Sequence, residues 1–186
     1  MSRKQGENFT YADYYSWDDD NRWELIDGVP YQMSTPSLNH QKILGNLLFK
    51  MHPLLSKENK NSCKILIAPC DVRLNAEEGD NTVVQPDLFI VCDPEKLADE
   101  KAVKGAPDMV IEITSPSNEK HDRVIKHAKY IEAGVKEIWY INFETEIVDA
   151  WRLKEGVYTA DTYTTEDTIP VGIFQDFEID MKEIIQ

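Results

Sequence analysis

Two acids stand where a buried strand should carry none. Glu112 lies between Ile111 and Ile113 in the apolar run Met109–Ile113, and Asp87 follows Pro86 at the mouth of a second run, Leu88–Val91. Both runs are β-branched or aromatic and bounded by Pro or turn residues, the pattern of short buried strands. A carboxylate on such a strand costs on the order of several kcal/mol unless it is paired, hydrogen-bonded or bound to a metal. Period-two alternation offers Glu112 a second option, a half-exposed face opposite its isoleucines. With Glu24 arriving from an N-terminal hairpin, the three acids would form a set of hard oxygen ligands. That set suits Mg²⁺, with Mn²⁺ as a substitute. Like charges held together raise one another's pKa, so a cation is the natural resident.

Asp122, Lys126 and Tyr130 recur at every fourth position, on one drifting helical stripe. A lysine beside the ion could orient or help deprotonate a water, or offset charge on a phosphate. Taken alone, Asp122 and Lys126 also fit a solvated i,i+4 pair contributing about 0.3–0.5 kcal/mol.

Several elements must position these groups. Thr10 can cap a short helix through YADYYSWDDD. RWELIDGVPYQM turns at Asp27-Gly28, a strong hairpin signal, with Glu24 on its first arm. Ile43, Leu44, Leu47, Leu48 and Met51 predict an amphipathic helix that Pro53 ends. Strands are expected at Lys64–Ala68, Asp71–Leu74 and Lys136–Asn142, and a short helix around Leu97. A further helix should start at Ser117 and stop at Gly134. A C-terminal hairpin turns at Glu155-Gly156, followed by a strand end and a last helical turn. Hairpins at both ends with alternating strands and helices between them predict an α/β (α+β) fold, a mixed central sheet flanked by helices. The 186 residues, 41% hydrophobic, fit one domain over 1–186.

The net charge of −14 and pI near 4.6 exclude broad adhesion to nucleic acid or to an anionic membrane. Basic residues do cluster, at Lys42, Lys50, Lys57, Lys60 and Lys64 and again at Lys120, Arg123, Lys126 and Lys129, while much acid lies at 77–80, 144–149 and 161–167. Cys63, Cys70 and Cys92 form no CxxC pair and read as reduced thiols, so the expected location is the cytoplasm. No apolar run reaches membrane-spanning length.

The ordered series ELIDGVPYQMS, NHQKILGNL, QPDLFIV, PDMVIEITSPS, D-x3-K-x3-Y and GVKEIWYI resembles the Uma-type family of putative restriction endonucleases, in the PD-(D/E)xK nuclease superfamily. The likeness covers roughly Tyr11 to Asn142. It implies a restriction-endonuclease-like core and Mg²⁺-dependent phosphodiester hydrolysis. It makes Pro86-Asp87 the PD element, Glu112 the acid of the second element and Glu24 the N-terminal acid. The lysine of that second element should stand at 114, where this chain has Thr114; the resemblance gives its role to Lys126. It also places His40 and Gln41 near the site, although a lone histidine at a helix start otherwise caps or faces solvent. His52, His121 and His127 read as surface residues, Trp23, Trp139 and Trp151 as packing, and Asp108 as a strand-start turn.

The expected function is a DNA endonuclease, with Asp87 and Glu112 holding the metal and Glu24 completing or orienting the site. Cutting both strands of a duplex would favour a homodimer by two-fold symmetry. The alternative is a nuclease fold that no longer cleaves and serves as a protein-binding or regulatory module. A phosphate-ester or nucleotide hydrolase ranks last, since no phosphate-cradling glycine loop is present.

Overall fold

A computed structural model describes residues 8–53, 63–77, 79–115 and 121–185. Its N-terminal helix α1 (Tyr11–Tyr15) starts where Thr10 and Asp13 form a reciprocal capping box. Strands β1 (Trp23–Ile26) and β2 (Val29–Gln32) follow as a hairpin. Its turn has positive φ at Asp27 and Gly28, the mirror-image turn that matches strand twist. A Cβ on Gly28 would also meet Asn8 Cα and Phe9 N at 3.1 Å. Helix α2 (Leu38–Met51) is capped by Ser37 and buries His40, Ile43, Leu44, Leu47 and Met51.

The strands that carry the acids are β6 (Leu88–Val91) and β8 (Met109–Thr114), which pair antiparallel. β8 runs parallel to β9 (Glu137–Asn142), and β3 (Lys64–Ile67) closes one edge beside β6. The C-terminal hairpin, β10 (Ile147–Lys154) and β11 (Val157–Thr164), completes a mixed six-stranded sheet in the order β11-β10-β9-β8-β6-β3. Its turn at Glu155-Gly156 again has positive φ at both residues.

The N-terminal hairpin does not join this sheet. With β4 (Val72–Arg73), β5 (Val83–Val84) and β7 (Val103–Lys104) it makes a second, five-stranded sheet. The mixed central sheet is present as expected; the second sheet is additional to it, and its two-residue strands are too short to show alternation in sequence. β12 (Thr168–Pro170) and β13 (Glu178–Asp180) form a small ribbon, and a 3₁₀ turn, Met181–Glu183, ends the tail.

The three central strands of the six-stranded sheet, β6, β8 and β9, are buried on both faces, and their residues sort by period two. Leu88, Ile90, Ile111, Ile113 and Ile141 pack with α2 and the C-terminal segment, whereas Phe89, Val91, Val110, Ile138 and Tyr140 pack with Val72, Val84, Val103 and Tyr130. Tyr130 lies on helix α3 (His127–Ala133), which the left-handed Gly134 stops as expected. The Ser117 start of this helix falls outside the described residues. Within them, α3 is preceded by a π-helical turn, His121–Lys126.

Cys63 and Cys92 correct the thiol expectation. They extend the Lys64↔Val91 pairing by one step and are joined as a disulfide, leaving Cys70 as the free cysteine. Partners from adjacent strands, 29 residues apart, are invisible to a spacing rule. Among the described residues no helix is long and apolar enough to cross a membrane.

Candidate active site

The two sheets meet at Gln85-Pro86-Asp87, the three residues that leave β5 and enter β6. The Gln85 N–H donates to Glu24 Oε1 at 2.7 Å, which ties β1 to this crossing. The Asp87 N–H donates to Glu112 Oε2 at 3.3 Å, and the Ile113 N–H donates to Asp87 Oδ2 at 2.8 Å. Strand alternation does the rest. Glu112 shares the Val110 face of β8, so it points at α3 and the second sheet and away from α2.

Lys126 comes to meet it. Its Nζ lies 2.6 Å from Glu112 Oε1, 2.9 Å from Glu24 Oε1 and 3.6 Å from Asp122 Oδ1. At 1% exposure it is no surface lysine, and the solvated Asp122–Lys126 pair gives way to a buried cluster. Tyr130, one turn further, donates its hydroxyl to Glu112 Oε1 at 2.5 Å. The half-exposed option for Glu112 also falls, since only 2% of it is accessible.

Two histidines flank the acids. His40 Nε2 stands 3.0 Å from Asp87 Oδ2; a carboxylate only accepts, so this nitrogen carries the proton. Buried His40 thus belongs to the cluster, while its neighbour Gln41 lies exposed on α2. His121, expected at the surface, reaches Glu24 Oε2 at 2.7 Å and rests against the Tyr31 ring. No helical or strand periodicity in the sequence signals this contact. His127 is half-buried, with Nδ1 3.1 Å from Tyr140 Oη. Thr114, in the position of the missing lysine, is fully buried on the Glu112 face. Its hydroxyl and His40 Nδ1 have no hydrogen-bond partner among the described residues.

Burial is the largest influence on each carboxyl of this cluster, and the ammonium with its hydrogen-bonded neighbours overcomes it only at Glu24. Burial raises Glu112 well above the carboxylate range; Lys126 opposes this, and Asp122, Asp87 and Glu24 add to it. Asp122 rises to about 6, again by burial against Lys126. For Glu24 burial also pushes upward, but Lys126 and the bonds from His121 and Gln85 reverse it and hold the group at about 2. Burial alone would lower Lys126; Glu112 and Glu24 instead lift it well above its usual value. It is therefore a fixed cation, unsuited to taking a proton.

The donor chemistry fits a hard divalent ion. Mg²⁺ uses one or two carboxylates, with waters and substrate phosphate completing its shell. Asp87 and Glu112 are adjacent, and the Asp87 side chain keeps 15% exposure. Glu24 already spends both oxygens on protein donors. Among the described residues no group of three or more acids, histidines or cysteines converges in ion-holding geometry, so the expected set of Glu24, Asp87 and Glu112 is reduced to the adjacent pair Asp87 and Glu112.

The other candidates are structural. Asp108 accepts from the Cys92 N–H at 2.7 Å and from Lys136 at 2.6 Å, binding the far ends of β6 and β8. Trp139 is core. The basic clusters are largely spoken for, with Lys50 on Glu183, Arg123 on Asp149 and Lys129 on Asp27 and Glu132. Lys57, Lys60 and Lys120 lie outside the described residues.

The family model for Uma2, described as "Putative restriction endonuclease", matches residues 11–182. The chain belongs to the Uma2 family. Its fold is similar to the crystal structure of a putative nuclease of the DUF820 group from Anabaena variabilis ATCC 29413. That likeness has a TM-score of 0.75 and 14% identity, over 95% of this chain and 97% of the other. No curated protein matches the chain. Family and fold together make it nuclease-like, and Uma2 membership implies a nucleic-acid substrate.

Proposed function

We propose that this Uma2 chain is a metal-dependent endonuclease that hydrolyses DNA phosphodiester bonds. The supporting observation is Lys126, a buried ammonium in contact with Glu112 and Glu24 in a chain whose motif position holds Thr114. Asp87 and Glu112 would hold the ion. When bound, Mg²⁺ or Mn²⁺ supplies Lewis-acid polarisation of the phosphate and a more acidic water. Lys126, permanently charged, orients the water and offsets negative charge as it builds on the phosphate. Glu24 sets the Lys126 side chain, with Gln85 and His121 fixing Glu24 in turn. His40 holds Asp87. A homodimer would present two such sites to the two strands of a duplex.

The test is nicking of supercoiled plasmid and of single-stranded oligonucleotide at low salt with Mg²⁺ or Mn²⁺. Metal-dependent cleavage that disappears in Asp87→Ala, Glu112→Ala and Lys126→Ala supports the reading. Equal activity in wild type and variants would expose a contaminant.

A second reading, a non-cleaving protein-binding module, draws on the net charge of −14 and on the paired state of many described cations. Duplex binding usually spends several free Lys or Arg on phosphates. Absence of cleavage on every substrate, together with no metal-induced stabilisation, favours this module.

A further inference from the structure

We propose that Tyr130 is a positioning residue that fixes which edge of Glu112 faces the metal. This rests on the metal-dependent reading above and deepens it. Two donors converge on Glu112 Oε1, the Tyr130 hydroxyl at 2.5 Å and Lys126 Nζ at 2.6 Å. The terminal torsion of a glutamate is otherwise soft. With Oε1 doubly held, Oε2 is the oxygen turned toward Asp87, whose N–H lies 3.3 Å away. Asp87 is held in the same manner, because its Oδ2 takes both the Ile113 N–H and His40 Nε2. Asp87 and Glu112 are the residues that would hold the ion.

Lys126 alone cannot supply this lock, since it divides its ammonium among Glu112, Glu24 and Asp122. Tyr130 is better placed. It is fully buried in the same apolar cluster as Val110, Val135 and Ile138, and its helix is stopped by Gly134 within four residues. Donors behind a ligating carboxylate orient it, and their removal lowers metal affinity about 10- to 100-fold.

The experiment is titration of the full chain with Mn²⁺, following free ion by electron paramagnetic resonance, for wild type, Tyr130→Phe and Asp87→Ala. Melting curves in metal-free buffer accompany it. The expected result is a folded Tyr130→Phe whose Mn²⁺ affinity drops about 10-fold or more. A residue that only fills the core would leave affinity unchanged, because Phe keeps the ring, and that outcome overturns the proposal. Wild type that binds no Mn²⁺ removes the metal reading, and the proposal with it. In wild type itself, the infrared difference on adding Mg²⁺ should contain a tyrosine C–O band, since drawing on Oε2 alters the bond at Oε1. Its absence also counts against Tyr130, even if the variant fails to fold.

Discussion

His121 and Lys126, five residues apart, close on the two oxygens of one carboxylate: His121 Nε2 lies 2.7 Å from Glu24 Oε2, and Lys126 Nζ lies 2.9 Å from Glu24 Oε1. An α-helix, at about 100° per residue, would set them about 140° apart. The π-helical turn His121–Lys126, with i to i+5 geometry, stacks them instead. Such turns recur at functional sites because the wider winding re-aims side chains that regular helix would separate.

His121→Phe keeps an aromatic ring against Tyr31 and removes the bond to Glu24. The histidine side chain is 25% exposed, so the loss should be about 1 kcal/mol, below the roughly 1.5–3 kcal/mol typical of a bond to a charged group. Melting temperature should fall by about 2–4 °C. Scanning calorimetry checks this, and nicking should fall less in this variant than in Glu24→Ala, because Lys126 retains its acid.

The same turn marks where sequence reading succeeds and stops. Glu112 and Asp87 were legible because an acid in an apolar strand is costly, and strand pairing then places them together. Lys126 was not distinguishable from Lys129 by pattern alone; both occupy one helix, and only the family resemblance selected it. His121 was unreadable because its contact depends on π winding, which leaves no periodic signature. His40 was ambiguous because a helix-start histidine serves as a cap as readily as a site residue. The second sheet was hidden in strands of two residues, whose pairing is decided by tertiary contacts. The disulfide was missed because Cys63 and Cys92 become neighbours only through the β3–β6 register.

Lys126→Met should be the most destabilising single change in the cluster. It leaves Glu24, Glu112 and Asp122 buried without their shared cation, and removing one partner of a buried pair costs about 3–5 kcal/mol. That corresponds to roughly 10 °C in a chain of this size. In the proposed site, Mg²⁺ should then stabilise the variant more than it stabilises wild type, since the ion becomes the available counter-charge. Thermal melts with and without Mg²⁺ test this, and a variant as stable as wild type in chelator would show that the acids do not depend on the ammonium.

Glu24 and Asp122 touch the same lysine and should give opposite pH signatures. Glu24 sits at about 2, below its ordinary value of 4.5, so it contributes stability present above pH 4.5 and lost as pH falls through about 2. Asp122 sits at about 6, above its ordinary 3.8, so its favourable balance is complete below pH 3.8 and lost as pH rises through about 6. Glu24→Gln should therefore be less stable than wild type at pH 7, with the gap narrowing in acid. Asp122→Asn should gain on wild type between about pH 4 and pH 7. Melting temperatures from pH 3 to pH 7 for both variants read the two slopes, and slopes of the same sign would contradict this assignment of charges.

Thr114→Lys tests whether the lysine has two workable addresses. Thr114 is fully buried, two residues beyond Glu112 on the same face of β8, and its hydroxyl has no hydrogen-bond partner among the described residues. A lysine there would approach Glu112 along the strand, whereas Lys126 approaches from the helix. In the wild-type background the added ammonium competes for space beside Lys126, and overpacking should cost about 1–3 kcal/mol. In the Lys126→Ala background that space is open and the acids lack a cation, so Thr114→Lys should raise stability. It should also restore metal-dependent nicking by about 10-fold or more over Lys126→Ala alone, the scale of a single charge interaction with a developing phosphate charge. Recovery of stability without cleavage would mean that the direction from which the ammonium enters matters as much as its presence, which would assign the chemistry to the helical address.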